Sequence, residues 1–204
     1  VCQACGASSF ANLRPGVSRL REELEGAAAR QVREITGADT APPPAAGVYV
    51  GTEAALYRVP SCDVVAFLEF DSEMLAPRFR AAEQALALII RAGRLAPEVL
   101  VQTFMPNHVV LQAAAAGNPD EVIKVERERR EMLGFPPFGA LARITGAGSS
   151  EMVRQLKSDV QVGGDESTGY VVRADDWITR GMALNATERP KGSRLRIEVD
   201  PPRL

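Results

Sequence analysis

The chain has 204 residues, 46% hydrophobic and 25% charged, which is enough for one or two domains with a buried core and average for a globular protein. No apolar run approaches the ~20 residues of a membrane-spanning helix, so helical membrane insertion is excluded. The 24 basic and 26 acidic residues leave a net charge of −2, so any grip on a polyanion must come from a local cluster of arginines, because only Lys124, Lys157 and Lys191 are lysines.

The opening, Val1-Cys2-Gln3-Ala4-Cys5-Gly6, has no initiator Met and no signal-peptide pattern, and it reads as a C-terminal fragment of a cytoplasmic protein. Cys-x-x-Cys-Gly is a knuckle that turns two thiolates onto one metal. Cys2 and Cys5 are therefore expected to supply half of a structural zinc site, with partners before Val1. Within the chain only Cys62 and His108 could complete the set. Cys62 stands at the mouth of an apolar strand, where a single Cys is usually a small buried hydrophobe. A thioredoxin-like redox pair would instead sit between a strand and a helix, and nothing here precedes the pair.

From Arg14 to about Arg33, Val17, Leu20, Leu24 and Ala27/Ala28 recur at helical spacing, with Ser18 as the expected cap. Gly37 to Gly47, with three consecutive prolines, reads as a loop. Near-continuous apolar strands follow at 48–50, 64–68 and 99–103, the pattern of a parallel sheet covered on both faces. A helix beginning at Ser72 or Pro77 turns Phe79, Ala82, Leu86 and Ile89/Ile90 inward and Arg78, Arg80 and Glu83 outward. Strand, helix, strand predicts parallel βαβ units.

Val109 to Ala116 reads as a helix ended by Gly117. Asn118-Pro119 starts another, with Val122, Val125 and Met132/Leu133 inward, Glu126 to Glu131 outward, and Gly134 at its end. Beyond it, 141–145, 170–173 and 195–199 read as strands, and Met152, Val153, Leu156 and Val160 as one helix face. Trp177 to Glu188 is helix or loop.

No Gly-x-x-x-x-Gly-Lys-Ser/Thr phosphate loop occurs in the chain. With one histidine, a nucleophilic relay would need His108 as its hub, although a strand-end His more simply caps or bonds a loop. Acid pairs such as Glu69/Asp71 and Asp175/Asp176 read as solvated strand ends. No catalytic residue is assigned.

Several segments nonetheless resemble the C-terminal third of the PriA family of bacterial replication-restart helicases, also called primosomal protein N′. Cys2-Gln3-Ala4-Cys5-Gly6 is similar to the last of its four Cys-x-x-Cys pairs. Val50-Gly51-Thr52-Glu53 resembles its Val-Gly-Thr-Gln motif, and Pro77-Arg78-Phe79-Arg80-Ala81-Ala82-Glu83 its Pro-Asp-Phe-Arg-Ala-Ala-Glu. Val101-Gln102-Thr103 through Pro106-Asn107-His108 resembles its Gln-Thr-x-x-Pro-x-His. The most specific piece runs from Glu128-Arg129-Arg130-Glu131 through Met132-Leu133-Gly134-Phe135-Pro136-Pro137-Phe138-Gly139, and Leu195 to Pro202 is similar to the family's terminal strand.

The resemblance implies an α/β chain in three parts. Residues 1–13 would end a zinc-binding region, 14–117 would belong to a partial RecA-like parallel-sheet helicase lobe, and 118–204 would form a linking helix and a small α+β C-terminal domain that binds DNA and partners. Two motifs depart from the family. Its Thr-Gln-x-x-x-Lys-Gly-His-x-Phe stretch is here Thr52 to Pro60 with the Lys, Gly and His replaced. Its Gln-x-x-Gly-Arg-x-Gly-Arg arginine-finger motif survives only as Ile90-Arg91-Ala92-Gly93-Arg94. An arginine finger contributes ~10³ to 10⁵ in rate, and losing its frame removes the motor. ATP, a cofactor in the family, would meet only the remnant Arg91 and Arg94.

The implied role is recognition of stalled or abandoned replication forks and reloading of the replicative helicase by binding, with forked DNA, single-strand-binding protein and other primosome proteins as partners and no membrane. Phosphate contacts would come from Arg127, Arg129 and Arg130 with Arg143, and from Arg194 and Arg196. The alternatives are an active ATP-dependent 3′-to-5′ helicase and an architectural zinc-containing partner of single-strand-binding protein.

Overall fold

The computed structural model describes residues 16–39, 47–156, 159–192 and 194–201. The chain divides into two compact units, 1–67 with 88–100 and 68–87 with 101–204. Among the described residues no helix is long and apolar enough to cross a membrane.

In the first unit α1 (Val17–Ala28) starts after Gly16, and the expected Ser18 cap is corrected: the Ser18 hydroxyl donates to the Glu34 carboxylate at 3.0 Å. The helix also stops short of Arg33. Ala29 takes a left-handed conformation at φ 49°, and the β-branched pair Val32 and Ile35 anchors a strand instead. That strand, β1 (Val32–Ile35), runs parallel to β2 (Val48–Gly51), in register from Val32 opposite Val48 to Ile35 opposite Gly51. Val32, Ile35 and Val50 are buried.

A short α2 (Ala55–Arg58) leads to β3 (Val64–Phe67). The expectation that such apolar strands are covered on both faces fails here. Among the described residues β3 pairs only with β4 (Glu98–Val101), as a two-stranded sheet in which exposed and half-buried residues alternate. Val64 and Leu100 are 44% and 51% exposed, because composition marks a strand as apolar but does not supply a layer to cover it.

In the second unit the helix expected from Ser72 or Pro77 is split. A single turn, α3 (Asp71–Met74), precedes Pro77, and α4 (Ala81–Leu95) follows it, crossing into the first unit at Leu88. Ala82 and Leu86 face inward as read, while Ile90 is exposed. The Asp71 carboxylate accepts from the Thr103 hydroxyl and from the Phe104 amide at 2.8 Å, and these bonds hold it below the ordinary carboxylate range. The helix α5 (Val109–Ala116) has its expected bounds and ends at Gly117, φ 63°.

Helix α6 (Asp120–Leu133) begins where the Asn118 side chain accepts from the Asp120 amide at 3.0 Å. Its faces differ from expectation. Glu126 and Arg130, read as outward, are 2% and 8% exposed, while Met132 and Leu133, read as inward, are 78% and 44% exposed. Val122, Glu126 and Arg130 are spaced by four on one stripe, so the stripe that buries Val122 carries the two charges in with it. Arg130 Nη2 lies 2.8 Å from Glu83 Oε2 and 3.5 Å from Glu126 Oε2, at ion-pair distance without hydrogen-bond alignment to either.

The rest of the unit is an antiparallel sheet backed by helices: β5 (Ala140–Thr145), α7 (Ser149–Arg154), β6 (Gln161–Asp165), β7 (Gly169–Ala174), α8 (Trp177–Asn185) and β8 (Arg196–Val199), with strand order β6-β7-β5-β8. Strand β6, with Gly163-Gly164 at its centre, carried no alternation to reveal it, and α7 ends before Leu156 and Val160. The core of the unit joins Ala142, Ile144 and Val172 to Met152, Val160 and Ala183. Burying each large aliphatic contributes roughly 1.5–3 kcal/mol.

Candidate nucleic-acid interface

Side chains alternate across a strand, so register assigns each residue a face. Ala142 and Ile144 of β5 and Val172 of β7 enter the core, which leaves Arg143 on the opposite face. Opposite Arg143 stand Val171 on β7 and Glu198 on β8. Arg173 is opposite Leu141, and Arg196 is opposite Thr145. Arg173, Arg143 and Arg196 thus form a diagonal row, each step one strand across and two residues along, about 8 Å between Cα positions.

The row is braced from below. Arg143 Nη2 donates to the Thr168 carbonyl at 2.9 Å. Gly169 lets the two approach: at φ +91°, an added Cβ would lie 2.6 Å from Thr145 Cγ2 and 3.3 Å from Arg143 Nε. The Arg173 guanidinium donates to the Leu133 carbonyl and sits 5.1 Å from the centroid of the Phe135 ring. Phe135 stacks on Phe79 at 5.2 Å, and Arg130 covers Phe79 at 5.6 Å, so a cation–ring–ring–cation ladder joins β7 to α6 and the residues preceding α4. Arg196 is the most open, with its side chain 74% exposed and paired to Glu198 at 2.7 Å.

Asp165 shares this face, opposite Gly169. Its Oδ1 accepts from the amides and hydroxyls of Ser167 and Thr168, which pulls its pKa down to about 2 and directs its charge into the hairpin turn.

The other sequence candidates divide. Arg194 is exposed just before β8. On α6, Arg127 is exposed with its guanidinium 5.8 Å from the Phe138 ring, and Arg129 is exposed but held at 2.7 Å by the buried Glu126. Arg130 lies inside, so its reading as a solvent-facing phosphate contact is corrected: its charge is taken up by Glu83 and Glu126. Arg173 was missed, although the alternation that singles out Arg196 would have found it.

In the first unit Arg91 is half-buried, its Nε donates to the Leu56 carbonyl at 2.8 Å, and its guanidinium lies 4.2 Å over the Tyr57 ring. Tyr57 is the residue standing where the resembled motif has Lys. Arg94 is exposed on α4. Cys2 and Cys5 lie outside the described residues. Among the described residues no three His, Cys, Asp or Glu side chains cluster as a metal site. The Cys62 thiol is half-buried, which raises its pKa, and His108 Nδ1 accepts from the Val110 amide at 3.3 Å as the cap of α5.

The row offers an extended polyanion one exposed guanidinium, Arg196, and two half-buried ones, Arg143 and Arg173, each with one Nη2 already donated to a backbone carbonyl, and phosphate contacts from such groups follow the backbone without reading base sequence.

No family model matches the chain. It is similar to several curated proteins named replication restart protein PriA. The similarity is 36% identity over 106 residues to that of Chlamydia trachomatis, covering 48% of this chain and 14% of the relative. It is 35% over 105 residues to that of Treponema pallidum, covering 48% and 16%, and 32% over 104 residues to that of Synechocystis, covering 48% and 12%. The resemblance read from the motifs is therefore present, and the chain spans only about a seventh of the relatives it matches.

Proposed function

From its similarity to replication restart proteins of the PriA kind, we propose that this chain is part of a replication-restart protein that binds stalled or abandoned DNA forks and promotes reloading of the replicative helicase, without unwinding DNA itself. The similarity over 48% of the chain carries the reading. The row Arg173, Arg143, Arg196, with Arg194 beside it, supplies the phosphate contacts. The engagement of Arg91 by Leu56 and Tyr57 favours binding over hydrolysis.

In this reading residues 14–117 descend from a RecA-like lobe, Cys2 and Cys5 hold half of a structural zinc, and the partners are forked DNA, single-strand-binding protein and other primosome proteins in the cytoplasm. Titration of a labelled fork and a linear duplex of equal length over a salt series tests it, with ATP turnover followed on the full-length protein. The expected result is preference for the fork at every salt concentration with no DNA-stimulated turnover. Equal affinity for the two DNAs removes the fork role, and turnover of several per second establishes the active-helicase alternative.

A further inference from the structure

The motif from Glu128 to Gly139 continues past the end of α6, and residues 134–139 close a compact loop there. The Phe135 amide donates to the Arg130 carbonyl at 2.9 Å, and the Phe138 and Gly139 amides donate to the Phe135 carbonyl at 2.9 and 3.3 Å. Gly139 has no room for a side chain, because a Cβ there would lie 2.3 Å from the Gly134 carbonyl oxygen. The loop mounts one half-buried ring, Phe135, between Arg173 and Phe79. Its centroid is 5.1 Å from the Arg173 guanidinium and 5.2 Å from that of Phe79, with the two rings 24° from parallel. Phe79 is buried and flanked by the guanidiniums of Arg80 at 5.1 Å and Arg130 at 5.6 Å, and Arg130 is anchored by Glu83 and Glu126.

We propose that Phe135, backed by Phe79, is the positioning residue of the arginine row: it sets the orientation in which Arg173 meets a phosphate. The inference rests on the reading of that row as a phosphate site. An arginine side chain free on a sheet face gives up its rotamer freedom when it takes a ligand, and that loss weakens binding. Arg173 has given it up beforehand. Its Nη2 donates to the Leu133 carbonyl, which fixes its reach, and the Phe135 ring fixes the plane of the guanidinium, so Nε and Nη1 remain as donors. Among the described residues no carboxylate stands at ion-pair distance from Arg173, whereas Arg196 is paired to Glu198, so Arg173 keeps an ordered side chain with its charge not offset. A ring serves here where an aliphatic side chain does not, because its flat, electron-rich face attracts and aligns the guanidinium. The stack on Phe79 in turn keeps Phe135 in place, which gives the loop at 134–139 and the residues before α4 a part in the site.

Binding of a labelled DNA duplex to the full chain over a salt series tests this, together with side-chain NMR of the DNA-free protein. Phe135→Leu should weaken binding by about two- to fivefold at every salt concentration, the factor a partly exposed cation–ring contact supplies, with the salt slope kept because the charge remains. Phe135→Tyr, which keeps the ring face, should restore the affinity. Arg173→Ala should lower both affinity and slope, and adding Phe135→Leu to it should cost nothing more. Without DNA, the Arg173 Nε–H signal should be that of an ordered side chain and should become motionally averaged in Phe135→Leu and in Phe79→Leu. An equal loss from Phe135→Leu with and without Arg173, or an Arg173 signal indifferent to both rings, overturns the proposal. If Arg173→Ala leaves affinity and slope unchanged, the phosphate reading of Arg173 itself fails and the proposal falls with it, a result distinct from either of those.

Discussion

Arg180 ties three parts of the C-terminal unit with one guanidinium. Its Nη1 donates to the Leu141 carbonyl at 3.0 Å and to Asp200 Oδ1 at 2.7 Å, and the same Asp200 oxygen accepts from the Leu141 amide at 3.1 Å. Removing it leaves the Leu141 carbonyl with the Asp200 amide alone and the Asp200 carboxylate with the Leu141 amide and no counter-charge. Arg180→Ala should lower stability by about 2–3 kcal/mol in urea unfolding, with Arg180→Lys intermediate because a single ammonium cannot span both acceptors as well. Asp165 contributes in a pH-dependent way. Its folded pKa of about 2 lies below the ordinary 3.8, so its support of the β6–β7 turn is complete above 3.8 and is lost as pH falls towards 2. A carboxylate titration by NMR should find that midpoint. Amide protection in the hairpin should fall over the same window, and Asp165→Asn should remove the dependence.

Helix α6 shows how one element can hold charges of opposite fate. Glu126 is buried between Arg129 and Arg130, and Arg127, one residue on, is exposed. Glu126→Ala strands the buried Arg130 with Glu83 alone and should cost about 3 kcal/mol. Arg127→Ala should stay within about 0.5 kcal/mol of the parent. Similar losses from the two substitutions in a thermal or urea denaturation series would mean the stripe assignment is wrong. The end of the same helix supports the sheet through the Leu133 carbonyl and Phe135, both engaged by Arg173.

For the molecule as a whole, the proposed DNA contact along the diagonal row predicts electrostatics without base reading. Arg143→Ala with Arg196→Ala should reduce the slope of log affinity against log salt by about two, equally for fork and duplex, with a loss of about 1 kcal/mol in unfolding free energy from the Arg143 bond to the Thr168 carbonyl and none from the exposed Arg196. A retained slope would move the phosphate contacts elsewhere, with Arg127 and Arg194 next in line. Arg91→Ala should weaken the first unit, where it spans Leu56 and Tyr57, and leave DNA affinity unchanged.

Local chemistry alone determined much of this chain. Gly117 and Gly134 stop their helices because they can take positive φ, the Asn118 side chain reaches the free Asp120 amide at the start of α6, 141–145 and 170–173 carry paired β-branched residues that favour strand, and 195–199 alternates apolar and charged residues. The motif order also disclosed the similarity to replication restart proteins. Tertiary structure decided what no short window contains. Val32–Ile35 is a strand because β2 is available to pair with it, β3 and β4 are half-open because among the described residues they pair only with each other, and Glu126 and Arg130 are buried because Glu83 and Phe79 lie across from them. The arginine row exists only through register, which brings together residues far apart in the chain, and register depends on the whole sheet.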